Sequence, residues 1–372
     1  MSNRDSRAST VDAVIVGAGF SGLYLLHRLR ELGFTTRVFE RGSGVGGTWY
    51  WNRYPGARCD VESMQYSYSF DEDLQQEWHW PEKFSAQPDI LAYAEHVAKR
   101  FDLTKDIDFE TEVSKAHFDA ATLRWRIETN MGTTVEAQHL IMATGCISTA
   151  QIPEIDGLSD YRGNTYHTGK WPHEKVDFTG QRIAIIGTGS SGIQAIPVLA
   201  EEAKHVTVFQ RTPNYSIPSQ NEPMHREYEA SWKERYGDLR EEMRYTGHGS
   251  IKDLNDKPAM SVDEDERQET YKERWKIGGA GFLASFNDLL FSQESNDTAS
   301  EFVRQQIRQI VKDPETAEIL APKTYPIGTK RICIDSGYFE TYNRDNVDLV
   351  DISETSIKRI TPTGLIANDQ TY

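Results

Sequence analysis

The apolar and polar positions near the start of the chain follow the order expected of a strand, a tight turn and a helix. Residues 11–16 form an almost continuous apolar run, and Gly17, Gly19 and Gly22 follow it in the spacing GxGxxG. Apolar residues then recur at helical spacing over residues 23–32. In such a turn the glycines allow the bend, the approach of a pyrophosphate, and close packing of helix on strand. The pattern predicts a βαβ unit that binds a dinucleotide.

The same order of positions returns in the second half of the chain. The apolar strand pattern of residues 182–186 leads into Gly187, Gly189 and Gly192, again as GxGxxG, and a helix is predicted from Ile193 to about Ala203. A single GxGxxG is weak evidence because glycine turns occur in many loops, but here both copies have a strand before them and a helix after them. The plain alternative is a pair of ordinary βαβ turns that bind nothing.

The residues that follow each second strand differ in charge. The strand predicted at residues 36–39 ends on Glu40, whose carboxylate can accept hydrogen bonds from ribose hydroxyls and would repel a 2′-phosphate. The strand predicted at residues 206–209 is followed by Gln210 and Arg211, and a guanidinium can bind two phosphate oxygens. We therefore predict FAD at the first site and NADPH at the second.

Composition limits the class of protein. The chain has 372 residues, 38% of them hydrophobic and 26% charged, as is typical of a soluble globular protein with two or three domains. The net charge of −16 argues against nucleic acid and anionic membrane surfaces as partners. Cys59, Cys146 and Cys333 form no CxxC, so neither a disulfide framework nor a zinc site is expected. With no export signal at residues 1–10 and no long apolar stretch, we expect a cytoplasmic protein without a membrane span.

These patterns predict an α/β protein with two Rossmann-like dinucleotide-binding domains and a helical insert. The boundaries predicted are 1–145 for the FAD domain, 150–217 with 323–372 for the NADP domain, and 218–322 for a helical cap. Within the cap, apolar side chains at helical spacing predict one face of a helix: Tyr228, Trp232, Tyr236, Leu239 and Met243. Glu229 and Lys233 are expected on its polar face, and strands are expected at 347–350 and 356–360.

A third pattern lies just before the second glycine motif. Tyr161, Gly163, His167, Trp171 and Pro172 stand in an order and spacing that resembles the signature of the Baeyer–Villiger monooxygenases, with tyrosine where the family has phenylalanine. The resemblance extends over residues 46–60, 187–192 and 328–331, and is greatest to the phenylacetone and cyclohexanone monooxygenase branch. Members of that family continue past the position of Tyr372, so we expect a truncated product that lacks the C-terminal part of the FAD domain.

The resemblance implies a reaction. In that family NADPH reduces FAD, the flavin captures O₂ as a C4a-peroxide, and this peroxide attacks a ketone, which becomes an ester or lactone. A permanent cation beside the anionic peroxide is needed, and Arg331 stands at the family's arginine position. Asp60 is implied to pair with Arg331, while Lys330 and Arg211, assisted by Thr212, are implied to bind the 2′-phosphate.

The resemblance also implies further cofactor contacts. Those expected for FAD, beyond the first glycine motif and Glu40, are Ser21, Thr48, Trp49, Tyr50, Trp51, Arg58, Cys59, Asp60, Tyr66 and Val113. Those expected for NADPH, beyond the second glycine motif, are Thr188, Ser190, Ser191, Ile193 and Gln194. Packing within loops and helix turns is the plain alternative for many of them. The histidine of the signature is expected to have a structural role.

Other functions are open to test. A flavin disulfide reductase needs two cysteines close in sequence, which are absent, and a hydrolase is not supported because the chain has no GxSxG. A flavin-containing or N-hydroxylating monooxygenase shares part of the signature, and a non-catalytic nucleotide-binding fragment would follow from truncation. The ketone and the oligomeric state are not indicated by the sequence.

Overall fold

The computed structural model describes residues 9–247, 249–251 and 253–372. Residues 1–8 lie outside the described part. Most of the segment for which the sequence predicts no export signal, residues 1–10, therefore falls outside it. The chain divides into two compact units. The first consists of the chain up to Arg53 with Gln87–Gln151 and His167–Trp171, and the second of Tyr54–Ala86, Ile152–Tyr166 and Pro172–Tyr372.

The regular elements are numbered in chain order. The helices are α1 (Phe20–Glu31), α2 (Thr48–Trp51), α3 (Glu72–Glu77), α4 (Gln87–Arg100), α5 (Ser190–Glu202), α6 (Arg226–Glu234), α7 (Tyr236–Tyr245), α8 (Glu264–Ile277), α9 (Gln293–Ile310), α10 (Pro314–Leu320) and α11 (Tyr338–Thr341). The strands are β1 (Thr10–Val16), β2 (Thr36–Phe39), β3 (Ile107–Asp108), β4 (Val113–Asp119), β5 (Arg124–Thr129), β6 (Thr134–Met142), β7 (Arg182–Ile186), β8 (His205–Gln210), β9 (Ser216–Pro218), β10 (Cys333–Asp335), β11 (Val347–Asp351), β12 (Arg359–Thr361), β13 (Gly364–Ala367) and β14 (Gln370–Thr371).

The first unit is built around a six-stranded sheet in the order β3-β2-β1-β6-β5-β4. The first four of these strands are parallel, and β5 and β4 add antiparallel hairpins at one edge. Ala13, Val14 and Ile15 on β1 are fully buried, because a central parallel strand is covered on both faces. Leu23 and Leu26 of α1 pack on one of those faces. The apolar run therefore folds as the sequence predicts.

The second unit repeats the parallel arrangement on a smaller scale. Strands β7, β8 and β11 form a parallel sheet in the order β11-β8-β7, and α5 lies between β7 and β8 in the chain. Strands β9 and β10 form a separate parallel pair, and β12, β13 and β14 form an antiparallel meander. The strand predicted at 347–350 is present as β11. The strand expected at 356–360 is regular only from Arg359, where the meander begins.

Helices α6 to α10 accompany the parallel sheet in the second unit. An aromatic cluster in its core joins α8, α9 and the 3₁₀ turn Gly279–Ser285, with the rings of Tyr271, Phe282 and Phe302 within 6 Å of one another. Asp263, Ser292 and Asp313 cap the amino ends of α8, α9 and α10 by accepting a backbone N–H. In the described ranges, no helix is both long enough and apolar enough to cross a bilayer.

The prediction of one continuous helix through Tyr228 and Met243 was wrong. The chain forms two helices, α6 and α7, which break at Arg235, whose φ of −116° leaves the helical range. Gly237 follows the break and lowers helix propensity there. Glu229, expected on a polar face, is only 9% exposed and lies 2.9 Å from His79 and 3.2 Å from Lys233. Periodicity identified the apolar side chains but not the break or the buried ion pair.

Candidate functional site

The first glycine motif forms a turn whose glycines pack tightly against the protein's own backbone. Gly17 has φ of +104°, and a Cβ there would lie 2.6 Å from the carbonyl oxygen of Ala143. A Cβ on Gly22 would lie 1.9 Å from the carbonyl oxygen of Gly17. Gly17 excludes a side chain both by its backbone conformation and by this contact, and Gly22 excludes one by contact alone. The turn thereby brings the amino end of α1 directly after the carboxyl end of β1, where parallel sheets bind ligands.

A second glycine pair lies against this turn. A Cβ on Gly47 would approach the Cα of Gly19 to 2.7 Å, and Gly47 has φ of +55°. The N–H of Gly46 donates to the carbonyl oxygen of Ala18 at 3.0 Å. Two backbone segments are therefore in direct contact around Gly19. Gly46 and Gly47 stand directly before Thr48, where the segment expected to contact FAD begins.

Glu40 links the end of β2 to the first glycine turn. Its carboxylate is 5% exposed and accepts from the N–H of Ala18 at 2.8 Å through Oε2 and from that of Gly42 at 2.7 Å through Oε1. A carboxylate has about four lone-pair sites, so two remain that can accept ribose hydroxyls. Glu40 is thus suited to a nucleotide without a 2′-phosphate, and it also stabilises the loop.

The other residues expected at FAD in this unit have definite surroundings. Trp49 and Tyr50 on α2 are buried, and the Tyr50 hydroxyl lies 3.0 Å from the N–H of Ser43. The Trp51 ring lies 4.8 Å from the guanidinium carbon of Arg41. Thr48 begins α2, Ser21 is exposed in the first turn of α1, and Val113 is half-buried at the start of β4.

The second glycine motif forms the same turn without a backbone cover. Gly187 has φ of +101°, and among the described residues no atom lies within 4 Å of a Cβ built on Gly187 or on Gly189. At Gly192, by contrast, a Cβ would meet the carbonyl oxygen of Gly187 at 2.4 Å. The helix therefore needs glycine at 192 for packing, as in the first motif. The space at Gly189 is open for a ligand to approach the backbone and the amino end of α5.

A cavity of about 500 Å³ opens beside this turn. It is lined by Gly187, Thr188 and Gly189 and by the three side chains expected at the 2′-phosphate, namely Arg211, Thr212 and Lys330. Sequence reasoning missed the rest of its lining: Glu154, Ile155, Ile186, Phe209, Asn214, Ile352, Ser356 and Ile357. Apolar walls with a few cationic and backbone groups are typical of a nucleotide pocket. No spacing signal in the sequence connects these scattered residues.

Gln210 occupies the position that corresponds to Glu40. It is 1% exposed, its Oε1 accepts from the Thr188 hydroxyl at 3.2 Å, and its Nε2 donates to the carbonyl oxygen of Ile319 at 2.9 Å. The side chain therefore connects the second glycine turn to the end of α10. Since it is uncharged, it places no negative charge beside Arg211.

The first turns of α5 hold a neighbouring segment of the same unit. The Gln194 Oε1 accepts from the Tyr54 hydroxyl at 2.8 Å, and its Nε2 donates to the carbonyl oxygen of Arg58 at 3.0 Å. A Cβ on Gly56 would lie 2.2 Å from the Gln194 carbonyl oxygen, so residues 54–58 lie directly on the helix. The Gln194 amide is thus bonded within the protein. Contact of Gln194 with NADPH stays a prediction.

The guanidinium of Arg58 is also engaged within the protein. It bonds to the Glu82 carboxylate and to the carbonyl oxygen of Phe84, and Asn221 donates to the same carboxylate at 3.0 Å. The N–H of Cys59 donates to the carbonyl oxygen of Ser85 at 3.1 Å. Residues 58 and 59 are therefore fixed immediately before Asp60.

Asp60 and Arg331 form an ion pair through two hydrogen bonds. Arg331 Nε donates to Asp60 Oδ2 at 2.9 Å, and Nη2 donates to Oδ1. The Asp60 side chain is 13% exposed and that of Arg331 is 72% exposed. The carboxylate raises the pKa of Arg331, so the guanidinium stays charged. The aspartate thus holds a cation whose remaining N–H groups face an open side.

Two buried thiols, Cys59 and Cys333, lie beside the residues of this ion pair. Burial raises the pKa of Cys59 to about 12 and that of Cys333 to about 11. Both are therefore neutral near pH 7 and are poor nucleophiles. In the described part of the chain, no cluster of His, Cys, Asp and Glu could hold a metal ion. The chemistry available here is that of a fixed positive charge.

The signature residues have structural contacts. The Tyr161 ring occupies the space where a Cβ of Gly163 would lie, with its nearest atoms 2.6 Å from that position. His167 lies 3.1 Å from the carbonyl oxygen of Gln151, and its Nδ1 accepts from the N–H of Gly169 at 3.0 Å. Tyr66, expected at the flavin, belongs to the second unit and its N–H donates to the Glu62 carbonyl oxygen at 3.0 Å.

Comparison with known proteins extends these observations to almost the whole chain. The family described as "Pyridine nucleotide-disulphide oxidoreductase" matches residues 14–349. A "Baeyer-Villiger monooxygenase" of Pseudooceanicola batsensis is 40% identical over 98% of this chain and 67% of its own length. The "Phenazine N-monooxygenase PhzNO1" of Lysobacter antibioticus is 40% identical over 98% of this chain and 68% of its own length.

The solved structures include a close match in shape. The structure described as "Oxidized steroid monooxygenase bound to NADP" is 52% identical in sequence and has a TM-score of 0.94. The match covers 98% of this chain and 69% of that structure's chain. The chain therefore spans about two thirds of the proteins it resembles. The match to the broader family spans both glycine turns.

Proposed function

This chain belongs to the Baeyer–Villiger monooxygenase family, and we propose that it uses FAD, NADPH and O₂ to convert a ketone into an ester or lactone. FAD, when bound, would supply the redox chemistry of hydride acceptance from NADPH and reaction with O₂. The residues of the chain supply binding, orientation and a fixed charge. The particular ketone is not specified by the residues described above.

The observation that carries this proposal is the ion pair of Asp60 and Arg331. Oxygen insertion beside a carbonyl develops negative charge on the carbonyl oxygen of the ketone, and a fixed cation stabilises that charge. Only arginine is charged at every working pH, and Asp60 fixes its orientation. Two of its five N–H groups bond to Asp60, which leaves three for the substrate side.

The cofactor assignments rest on the two glycine turns. The first turn, which follows β1 and bonds to the Glu40 carboxylate, suits the pyrophosphate and unphosphorylated ribose of FAD. The second turn opens into the cavity that contains Arg211 and Lys330, which suits the 2′-phosphate of NADPH. The proposed domains are 1–145 for FAD, 150–217 with 323–372 for NADPH, and 218–322 as a helical cap. Within the first of these, residues 54–86 pack in the second compact unit.

The test is Arg331→Ala in the FAD-loaded chain. Reduction of the flavin by NADPH should stay within about threefold of the parent, while ester formation should fall at least about 100-fold, the usual loss for one group that stabilises an oxyanion. Arg344→Ala is the matched control, because Arg344 is an exposed arginine of the same unit whose side chain bonds only to Asn346 among the described contacts. Ester formation at the parental rate in Arg331→Ala would refute the assigned role.

N-oxygenation is a second candidate function, because a phenazine N-monooxygenase is as similar in sequence as the Baeyer–Villiger relative. Offering a cyclic ketone and an aromatic N-heterocycle in parallel distinguishes the two. We expect the ester or lactone as the main product. An N-oxide as the main product would favour the second function. Absence of flavin binding would favour a nucleotide-binding piece without turnover.

A further inference from the structure

Tyr325 lies beside the open glycine turn but outside the residues that line the cavity. It stands five residues before Lys330, is half-buried, and packs its ring edge-on against Tyr215 with centroids 5.6 Å apart at 84°. Tyr215 is 3% exposed and belongs to the core of the second unit. The position of the Tyr325 ring is therefore set by the core.

The hydroxyl of Tyr325 contacts the loop that follows β8. It lies 2.7 Å from the carbonyl oxygen of Pro213 and 3.1 Å from Oδ1 of Asn214. Asn214 in turn donates to the carbonyl oxygen of Thr188 in the second glycine turn at 2.7 Å. Since Pro213 follows Arg211 and Thr212 directly, the hydroxyl fixes the end of the segment that presents the Arg211 guanidinium.

The face of the same ring carries the second cation. The Lys330 ammonium lies 4.5 Å from the Tyr325 ring centroid, within the range of a cation–π interaction. Lys330 is exposed, and an exposed lysine samples many rotamers unless a contact restricts it. The ring therefore restricts the ammonium beside the cavity, which Arg211 also lines.

We infer that Tyr325 is a positioning residue that determines cofactor specificity, holding Lys330 by its ring face and the Arg211 loop by its hydroxyl, for recognition of a 2′-phosphorylated ribose. The inference rests on the proposed binding of NADPH in this cavity. Tyr325 itself need not touch the phosphate. Its effect should therefore depend on the presence of the 2′-phosphate and on Lys330.

Calorimetric binding of two fragments to the full chain tests the inference without turnover. The probes are 2′-phospho-ADP-ribose and ADP-ribose, and the quantity compared is the ratio of their dissociation constants. Tyr325→Leu removes the ring face and the hydroxyl, and should lower the preference for the 2′-phosphorylated probe about three- to fivefold. Tyr325→Phe keeps the ring face and should lower it only about twofold. Affinity for ADP-ribose should change less than about twofold in both variants.

Lys330→Met provides the coupled variant and Lys323→Met the matched control. Lys323 is an exposed lysine seven residues earlier that pairs with Glu318 at 2.7 Å and does not line the cavity, so its loss should leave the preference unchanged. In the Lys330→Met background, Tyr325→Leu should have only the small effect of the lost hydroxyl. Such non-additivity is the signature of two residues that act together.

The outcomes separate this inference from the proposed function. If the parent prefers the 2′-phosphorylated probe but Tyr325→Leu weakens both probes equally, Tyr325 has only a structural role and the inference is overturned. If the effects of Tyr325→Leu and Lys330→Met on the preference are fully additive, the inference is overturned as well. If the parent shows no preference between the probes, the inference and the assignment of NADPH to this cavity both fail.

Discussion

The two glycine turns have the same plan but differ in what covers them. In the first, backbone of Gly47 lies on Gly19 and a buried glutamate bonds to the turn. In the second, Gly189 faces open space, and an uncharged glutamine bonds to the hydroxyl of Thr188. One sequence motif therefore serves two local environments. The first turn is stabilised by the protein around it, whereas the second is exposed to a ligand.

The largest expected effect separates packing glycines from ligand-facing ones. Gly22→Ala should cost about 3 kcal/mol of the free energy of unfolding, because its Cβ would meet a backbone carbonyl at 1.9 Å. Gly189→Ala should cost less than about 1 kcal/mol, since its φ of −79° suits alanine and no atom is near. It should nevertheless weaken NADPH binding at least about tenfold through its Cβ.

Urea unfolding and calorimetric titration of the same variants provide the measurement. Gly237→Ala is the control for the intrinsic effect of replacing glycine, because its backbone is helical and, in the described part of the chain, no atom outside its own helix backbone lies within 4 Å of its Cβ position. The comparison of the two turns breaks down if Gly189→Ala unfolds as readily as Gly22→Ala. It also breaks down if Gly189→Ala binds NADPH as the parent does.

The next largest effect concerns the side chains that follow β2 and β8, namely Glu40 and Arg211. Arg211→Ala should weaken NADPH binding at least about tenfold, because hydrogen bonds between charged groups contribute about 1.5–3 kcal/mol. NADH binding should change little because NADH has no 2′-phosphate. The free energy of unfolding should change little because the Arg211 side chain lines the cavity. Glu40→Ala should instead lower stability and FAD retention together, because it leaves two backbone N–H groups without their acceptor. Equal loss of NADPH and NADH binding in Arg211→Ala would contradict this contrast.

These two turns also show what the sequence could predict. Strand, turn and helix follow from apolar periodicity and from glycines whose conformations are local properties, and both βαβ segments fold as expected. The family resemblance brought Asp60 and Arg331 together across 271 positions of sequence, which no local pattern could do. The break at Arg235 and the cavity walls at Ile155 and Ile357 depend on tertiary packing. Residues such as Gln194 and Arg58 were expected at the cofactors because of the family resemblance, whereas their bonds within the protein depend on the path of residues 54–58.

The smallest expected effect concerns the bonds made by α5. Gln194→Leu should cost about 1–2 kcal/mol, because the Tyr54 hydroxyl and the Arg58 carbonyl lose their partner. Amide hydrogen exchange over residues 54–60 should accelerate, while exchange in β1 should not. Gln268→Leu on α8 is the control, since that side chain bonds only to the exposed Glu264 among the described contacts. Unchanged exchange over residues 54–60 would show that the glutamine does not hold this segment.

The most direct test of the account is the flavin absorbance of the FAD-loaded chain on anaerobic addition of reduced nicotinamide cofactors. The account predicts that NADPH bleaches the oxidised flavin at concentrations at which NADH does not, because Arg211 and Lys330 bind the 2′-phosphate. A chain that retains no FAD, or whose flavin stays oxidised with saturating NADPH, would contradict the claim that the two turns hold two different dinucleotides.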